Sequence, residues 1–289
     1  EYRSTSQPRL RGCKLMDEEK PTSLFARRLL VVTVTLTALW LILPLLVIVP
    51  ISFSGENSFA FPPRTWTLQR YVDLAQPMWI GALINSLVIA SLVAVGASFL
   101  GTLTSFAITR STSRLIVIVR ALVLAPQVVP IIIVGLGIYL VFLRLDLNGS
   151  YVGFVLAHTV LALPFVVIPV AATLQTFDRD LERASASLGA GPIATFIQVT
   201  FPIIRPALLS GTFLAFLSSF DELVLALFLQ SPSLVTLPVL LYRRMTDTID
   251  PTVAAVATIQ LLFVTTCMII ALFLQRRKDS NDQAPAAET

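Results

Sequence analysis

Long apolar runs, separated by shorter polar segments, dominate the sequence. Six of them reach about 18 residues or more with few charges, the length that a helix needs to cross the hydrocarbon core of a bilayer. Alternating strands of roughly 10 residues, the signature of a membrane β-barrel, do not compete with them. The pattern predicts an all-α polytopic membrane protein with six transmembrane helices within residues 29–275. The runs cover 29–51, 82–109, 115–143, 151–174, 207–229 and 252–274.

Basic residues beside the runs indicate the orientation. Sixteen of the 21 lysine and arginine residues precede the first run, follow the sixth, or lie near the connections between runs two and three and runs four and five. Cytoplasmic flanks of membrane helices are enriched in these residues, so both termini are predicted to be cytoplasmic. Residues 1–28 are then a disordered cytoplasmic tail, residues 276–289 a cytoplasmic C-terminal tail, and residues 175–206 a long cytoplasmic loop.

Composition agrees with a chain that resides in lipid. Charged residues make up 13% of it, against roughly 25% in soluble domains. The net charge of +4 follows from the asymmetry of the flanks and does not indicate nucleic acid. The two cysteines, Cys13 and Cys267, form no disulfide framework and no metal-ligand spacing. The single histidine, His158, is interpreted as an inter-helix hydrogen bond, with a functional role as the alternative.

One apolar run and one external connection contain residues that interrupt regular helix. Run three includes "LAPQVVPIIIVGLGIYL", whose prolines and glycines predict a kinked or locally unwound helix. The external segment 230–251 contains "LVTLPVLLY", which is apolar enough to re-enter the outer membrane layer. Irregular backbone at that depth is tolerated only where protein or a wet cavity surrounds it.

The loop 175–206 predicts two short helices that meet at a glycine hinge. Asp178 or Asp180 can cap the start of the first helix, and Gly189 can end it. The second helix, at roughly 192–199, has an apolar face, and Pro202 is expected to reset the chain before run five. An apolar face in a basic cytoplasmic loop predicts a docking surface for another protein.

The same loop resembles the cytoplasmic loop shared by permease subunits of bacterial ABC importers. That motif has an acidic residue and two alanines, three further residues, a glycine, nine residues, and then aliphatic, any residue, aliphatic and proline. The resemblance implies the type I ABC importer permease fold, with the loop as the coupling helix seated in a separate ATPase subunit. The matching residues are Gly189, Val199, Pro202 and the triplet Arg183, Ala184 and Ser185, with Glu182 directly before the triplet.

The triplet departs from the motif because Arg183 stands where the family has glutamate. Glu182 is its immediate neighbour, so it stays open which carboxylate, if any, contacts the ATPase. A second departure is Phe201, where the family prefers leucine.

Three further stretches are similar to the second permease subunit of spermidine/putrescine-type importers: "SFDELVLALF", "VTLPVLLY" and "DPTVAAVATI". The resemblance implies a polyamine or related amine as solute, with amino-acid-like, opine-like or other small organic ions as alternatives. It also implies a companion permease, two ATPase subunits, an external solute-binding protein and a bacterial inner membrane. The chain lacks the G-x-x-x-x-G-K-[ST] phosphate loop, so it is expected to be non-catalytic and to hold no cofactor, with ATP bound by the partners. An autonomous ion-coupled transporter is the remaining alternative.

Two adjacent acids lie inside run five. On a continuous helix Asp221 and Glu222 would project about 100° apart, so that one faces a translocation path and the other a partner helix. Three interpretations stay open: the acids attract a cationic solute, they hold a gate through backbone or outer-loop bonds with Arg243 or Arg244, or they pair with the companion permease. Nearby aromatic residues, Phe220 and Tyr242, are candidates for the path or gate, by cation–π contact or by packing.

Overall fold

The structure, a computed structural model, describes the backbone of residues 24–283 and the side chains of residues 27–266 and Ile269. Regular structure in this part is helical, apart from isolated antiparallel bridges that join Ser54 to Trp66 and Ser231 to Leu234. One π-helical turn, Phe196–Thr200, is also present in this part. The helices are α1 (Leu24–Ser52), α2 (Gln69–Asp73), α3 (Pro77–Arg110), α4 (Leu115–Val128), α5 (Ile131–Arg144), α6 (Tyr151–Gln175), α7 (Asp180–Ser187), α8 (Pro192–Thr195), α9 (Phe201–Phe220), α10 (Val224–Leu229), α11 (Leu237–Thr246) and α12 (Thr252–Gln283).

Helices α3, α6 and α9 pack against one another and supply most of the core. Small residues bring their backbones close, as is common between membrane helices. A Cβ atom on Gly211 of α9 would lie 2.9 Å from the carbonyl oxygen of Phe165 and 2.9 Å from the Cα of Val166 in α6. Gly101 of α3 approaches the side chain of the same valine. This trio forms the closely packed centre of the described part.

The remaining long helices leave much apolar surface exposed. Leucine, valine and tryptophan side chains along α1 are exposed as far as Leu46, and α1 packs against α12. Such surface is stable in lipid or against another apolar protein, but not in water. Four helical stretches within the described residues are long and apolar enough to cross a membrane, and five if α4 and α5 count together. The described apolar part of the sixth, Thr252–Thr266, is shorter, so the count of six spans stays a prediction.

Run three is a bent pair and not one kinked span. Helix α4 ends at Val128, α5 begins at Ile131, and the two axes differ by 111°. Pro130 stands directly between them, and a proline both lacks an N–H and forces the preceding residue out of the helical region. The predicted interruption is therefore present, but it is sharper than a kink.

The predicted separation between the second short helix and run five is wrong. Helix α8, the π-helical turn and α9 follow one another without a break, and Pro192–Phe220 forms one apolar stretch of 29 residues. The N–H of Phe201 donates to the carbonyl of Phe196, five residues back, as in a π-helix. This wider turn directly precedes Pro202, which has no N–H to offer, so the chain passes Pro202 without ending the helix.

The ends of the predicted spans also shift. Helix α1 starts at Leu24, inside the predicted tail 1–28, and α12 continues to Gln283, inside the predicted tail 276–289. Residues 1–23 and 284–289, on which the rest of both predicted tails falls, lie outside the described part. The prediction that run five stays helical through residue 229 is wrong, because α9 ends at Phe220 and α10 begins only at Val224. The two acids therefore lie in a break between helices.

Candidate functional site

The loop between α6 and α9 has the predicted glycine corner. The N–H of Asp180 donates to Asp178 Oδ1 at 2.9 Å at the start of α7. Gly189 follows α7 with a φ of +86°, and a Cβ atom there would meet nothing within 4 Å. The backbone conformation, and not crowding, is what requires glycine at this position.

The outer surface of the loop carries apolar side chains on both sides of this corner. Leu188 is 90% exposed and Ile193 is 76% exposed. On α7, which precedes the corner, Arg183 pairs with Asp180 at 2.7 Å, and both side chains are largely exposed, at 78% and 74%. Ala184 is exposed as well. These residues form a surface that a partner can cover, and Arg183 is part of it.

The inner side of the loop is bonded to the membrane helices. Glu182 Oε1 accepts hydrogen bonds from the guanidinium of Arg110, at the end of α3, and from Thr200 Oγ1 at 2.6 Å. Ser185 and Thr195 share a hydroxyl hydrogen bond of 3.1 Å between α7 and α8. Glu182 and Ser185, two of the predicted site residues, thus face inward. Arg110 and Thr200 were not predicted, because nothing local in the sequence marks them.

Electrostatics favours the ionised form of Glu182. Its partial burial opposes ionisation, but the hydrogen bonds from Arg110 and Thr200 and the charges of Arg110 and Arg179 outweigh that effect, so the pKa of Glu182 lies below its ordinary value. A cavity of about 290 Å³ lies beside the carboxylate, between the end of α3 and the start of α8. The rings of Phe106 and Phe196 line it, 5.8 Å apart and edge to face.

The other two motif residues lie where the loop joins α9. Val199 is half-buried in the π-helical turn, and Pro202 is exposed in the first turn of α9. They connect the loop to the membrane helix and are not part of its exposed corner.

The two acids of run five have different environments. Asp221 follows the last residue of α9, and its backbone N–H donates to the carbonyl of Leu217 at 3.1 Å. Its side chain is exposed and, within the described side chains, has no hydrogen-bond or ion-pair partner. Glu222 is half-buried, and its Oε1 accepts the N–H of Leu225 at 3.0 Å, which caps the start of α10. One carboxylate is therefore open and the other is used by the backbone.

The outer-loop arginines have partners other than these acids. Arg243 donates to Gln230 Oε1 at 2.6 Å, and Arg244 lies 3.9 Å from Asp250. The ion pairs among the described residues join neither arginine to either acid. The structure therefore shows no gate held by an arginine–acid pair within the described residues. The hydrogen bond between Glu222 and the backbone agrees with the alternative, in which an acid holds a gate through a backbone bond.

The aromatic candidates lie on two different elements. Phe220 stacks on Phe216 with ring centroids 5.8 Å apart and an interplanar angle of 14°. It also packs against an apolar cluster that includes Trp79 and residues of α11. Tyr242 is an exposed residue of α11. Phe220 lies beside the two acids because the three residues are consecutive in the sequence.

Comparison with known proteins decides the family. A family model described as "Binding-protein-dependent transport system inner membrane component" matches residues 97–280. The chain belongs to this family. This permease is therefore a multi-pass protein of the inner membrane, and it works in a transport system that includes further subunits.

Named relatives and a solved structure agree with this assignment. The permease is 31% identical over 244 residues to the putrescine transport system permease protein PotI of Escherichia coli K12, covering 82% of this chain and 86% of the relative. It is 28% identical over 236 residues to the spermidine/putrescine transport system permease protein PotC of the same strain, covering 80% and 88%. A chain from the crystal structure of a bacterial ABC transporter involved in the import of the polysaccharide alginate superposes with a TM-score of 0.65 at 15% identity, covering 89% of this chain and 97% of that one.

These findings confirm several predictions. The all-α permease fold is confirmed by the structural match, and the assignment to ABC importer permeases by the family. The prediction that the permease is non-catalytic is also confirmed, because its relatives are permease subunits and ATP is hydrolysed by a separate subunit of such systems.

Helix α3 of the permease holds the segment that leads into α11. Asn85 donates to the carbonyl of Val235 at 2.9 Å and accepts the hydroxyl of Tyr151 at 2.6 Å. Ser86 Oγ accepts the N–H of Leu237 at 2.8 Å. The first turn of α11 is buried in protein, as a re-entrant segment requires. Re-entry into the membrane itself stays a prediction.

His158 joins two helices of the central trio. Its Nδ1 lies 3.0 Å from Ser219 Oγ, between α6 and α9, and the ring is almost fully buried beside Phe154. The predicted inter-helix hydrogen bond is confirmed. It fixes the end of α9 two residues before Asp221.

Proposed function

We propose that this permease forms half of the translocation path for a polyamine or a related organic amine. The observation that carries the proposal is the carboxylate of Asp221, which is exposed at a helix break and has no partner within the described side chains. The similarity to permeases named for putrescine and spermidine transport supports the same class of solute.

An ionised carboxylate within a membrane protein is costly unless water or a positive charge compensates it. Glu222 already accepts a backbone N–H at the start of α10, so Asp221 is the acid that is free to meet a cation. The stacked pair of Phe216 and Phe220 precedes it on α9. An aromatic ring offers a face on which an ammonium group can rest.

The 175–206 loop is, in this proposal, the docking site of an ATPase subunit. Support comes from Leu188 and Ile193, whose exposed apolar side chains flank the corner at Gly189, and from the exposed pair Asp180–Arg183. The assembly would contain a companion permease, two ATPase subunits that bind ATP, and an external solute-binding protein. Both termini of this permease would then be cytoplasmic, as the distribution of basic residues predicts.

One helical stretch connects the two sites. Pro192–Phe220 starts beside the docking surface and ends at Asp221. Its 29 residues span roughly 40 Å at about 1.5 Å per residue. Closure of the ATPase subunits on ATP moves the loop, and this helix transmits the movement to the solute path, which opens outward, receives the solute and later releases it inward.

Transport by the purified assembly tests the proposal. The complex is isolated from its host through a tag on this permease, placed in proteoliposomes with its binding protein, and supplied with labelled putrescine or spermidine. The proposal expects uptake that requires internal ATP. Uptake of an amino acid or an opine in place of the amine would reject the proposed solute, and uptake by the permease alone without ATP would favour an ion-coupled transporter.

A further inference from the structure

We infer, on the basis of the proposed docking of this loop on an ATPase subunit, that Glu182 is an internal strut and not an ATPase contact. Together with Arg110 and Thr200 it fastens the docking surface to α3 and to the π-helical turn that leads into α9, so that movement of the loop is passed to the membrane helices. Glu182 is thus a positioning residue for coupling.

The first support is the convergence of three elements on one oxygen atom. Oε1 of Glu182, on α7, accepts from Arg110 on α3 and from Thr200 in the π-helical turn before α9. The side chain of Glu182 is only 19% exposed and that of Arg110 is 36% exposed. An ATPase subunit that approached the exposed surface would find this carboxylate already occupied.

A second set of contacts ties the same parts together. Arg179, just before α7, donates to the carbonyl of Thr109 at 2.9 Å. The guanidinium of Arg110 lies 4.6 Å from the centroid of the Phe106 ring, and Phe106 meets Phe196 of the π-helical turn edge to face. The end of α3 is thus held both to the loop and to the start of the long helix.

The exposed pair on α7 provides the contrast. Asp180 and Arg183 bond to each other and are open to solvent. They lie on α7, the helix that leads to Leu188 and the glycine corner, and a partner can reach them. The residue at the acidic position of the motif, Arg183, is therefore on the docking surface, while the neighbouring carboxylate of Glu182 faces the membrane helices.

The contact from Glu182 reaches the π-helical turn. This turn is a local departure from α-helical geometry, and such turns are frequent at functional sites. Thr200 is its last residue and is buried. A pull on Glu182 therefore acts on the one part of Pro192–Phe220 in which the hydrogen-bond pattern is already shifted, next to a cavity of about 290 Å³.

A mutant cycle in the whole importer complex tests the inference. Glu182→Gln, Arg110→Gln and Thr200→Val remove the strut one side chain at a time, and Arg110→Glu with Glu182→Arg exchanges the two charges. Arg114→Gln is the matched control, an exposed arginine that lies between α3 and α4, directly before α4. Two quantities are measured. The first is the amount of ATPase subunit that purifies with the tagged permease, and the second is the solute taken up per ATP hydrolysed after reconstitution in proteoliposomes.

The strut variants are expected to keep their ATPase subunits and to lower uptake per ATP roughly fivefold to tenfold, the range for one lost charge-assisted contact that is partly exposed. The exchanged pair should recover much of this loss, and Arg114→Gln should match the wild type. Size-exclusion profiles identify any single variant that fails to assemble. In that case the exchanged pair, Arg110→Glu with Glu182→Arg, provides the test.

Three results would overturn the inference. Loss of ATPase subunits from Glu182→Gln but not from Arg110→Gln would show that Glu182 is an ATPase contact. Independent effects at the two positions, with no recovery in the exchanged pair, would show that they do not act as a unit. A wild-type permease that purifies with no ATPase at all would instead remove the proposed function, and this inference with it.

Discussion

The 175–206 loop and the break after α9 both contain carboxylates close to a helix end. The carboxylate of Glu182 in the loop and that of Asp221 at the break have opposite surroundings. In the loop, Glu182 is bonded to a guanidinium and a hydroxyl from two other elements. At the break, Asp221 has no side-chain partner within the described residues, and only its neighbour Glu222 is used, by a backbone N–H. A satisfied carboxylate holds parts of the protein together, whereas an open one is available to a ligand.

The difference is instructive because one helical stretch, Pro192–Phe220, joins the two regions. At one end the polar contacts bind the chain to itself, as expected of a part that must transmit force. At the other end the chain is interrupted and a charge is left open, as expected of a part that must receive a solute. The central trio of α3, α6 and α9 provides the fixed frame between them.

The largest expected effect comes from the corner at Gly189. Its φ of +86° is unfavourable for any residue with a Cβ atom and worst for a β-branched one, at a cost of about 1–2 kcal/mol or more. Gly189→Val should therefore displace Leu188 and Ile193 from the docking surface. We expect ATP-dependent uptake to fall by roughly tenfold or more, since about 1.4 kcal/mol corresponds to a factor of ten.

Gly191→Ala is the matched control for that variant. Gly191 has no positive φ, and an added Cβ would meet nothing within 4 Å. Its uptake should equal that of the wild type. Equal loss in both variants would mean that the loop is merely intolerant of side chains, and that the corner has no special part in docking.

A medium effect is expected from the frame that both regions share. Gly211→Ala places a Cβ against the backbone of α6, and overpacking of this kind costs about 1–3 kcal/mol. The midpoint of thermal unfolding of the permease in detergent should fall, while Gly137→Ala, which meets nothing within 4 Å, should leave it unchanged or slightly raised. If Gly211→Ala unfolded at the wild-type temperature, the trio would not be the closely packed centre that we describe.

The smallest expected effect concerns pH at the loop. Because the pKa of Glu182 lies below its ordinary value, its ionised form stabilises the folded loop at neutral pH, and this contribution disappears as the pH falls through the lowered pKa. Hydrogen exchange of the α7 amides, corrected for its intrinsic pH dependence, should show protection lost on acidification below the ordinary pKa of a glutamate. Glu182→Gln should start from lower protection and lack this step; an identical pH profile in both proteins would contradict the role of the ionised carboxylate.

The apolar runs predict the helices α1, α3 and α6, because these runs are long and their boundaries carry charges. The sequence also predicts the interruption at Pro130, where the chemistry of proline is local. It does not predict that the chain passes Pro202 in one helical stretch, because that depends on a π-helical turn formed by the preceding residues. The end of α9 at Phe220 is equally hidden from the sequence: apolar character continues through residue 229, and the break lies in the backbone.

At the functional sites, the motif indicates which loop docks but not which way its side chains face. Glu182 and Arg110 are 72 residues apart in sequence, and an arginine at the end of a membrane helix is read most simply as a topology signal. Asp221 and Glu222 are adjacent and chemically alike, so only the three-dimensional structure separates the open carboxylate from the capping one.

The most direct measurement compares the same isosteric change at these two neighbouring acids. Uptake of labelled polyamine by the assembled importer is measured for Asp221→Asn and Glu222→Gln, with the amount of intact complex determined for each. Loss of the open charge at Asp221 should lower uptake roughly tenfold, because one charge-assisted contact contributes about 1.5 kcal/mol or more of free energy. The Glu222→Gln variant keeps a side-chain oxygen that can accept the N–H of Leu225, so its uptake should stay close to that of the wild type. Equal uptake by the two variants, or a larger loss at position 222, would contradict the assignment of Asp221 to the solute path.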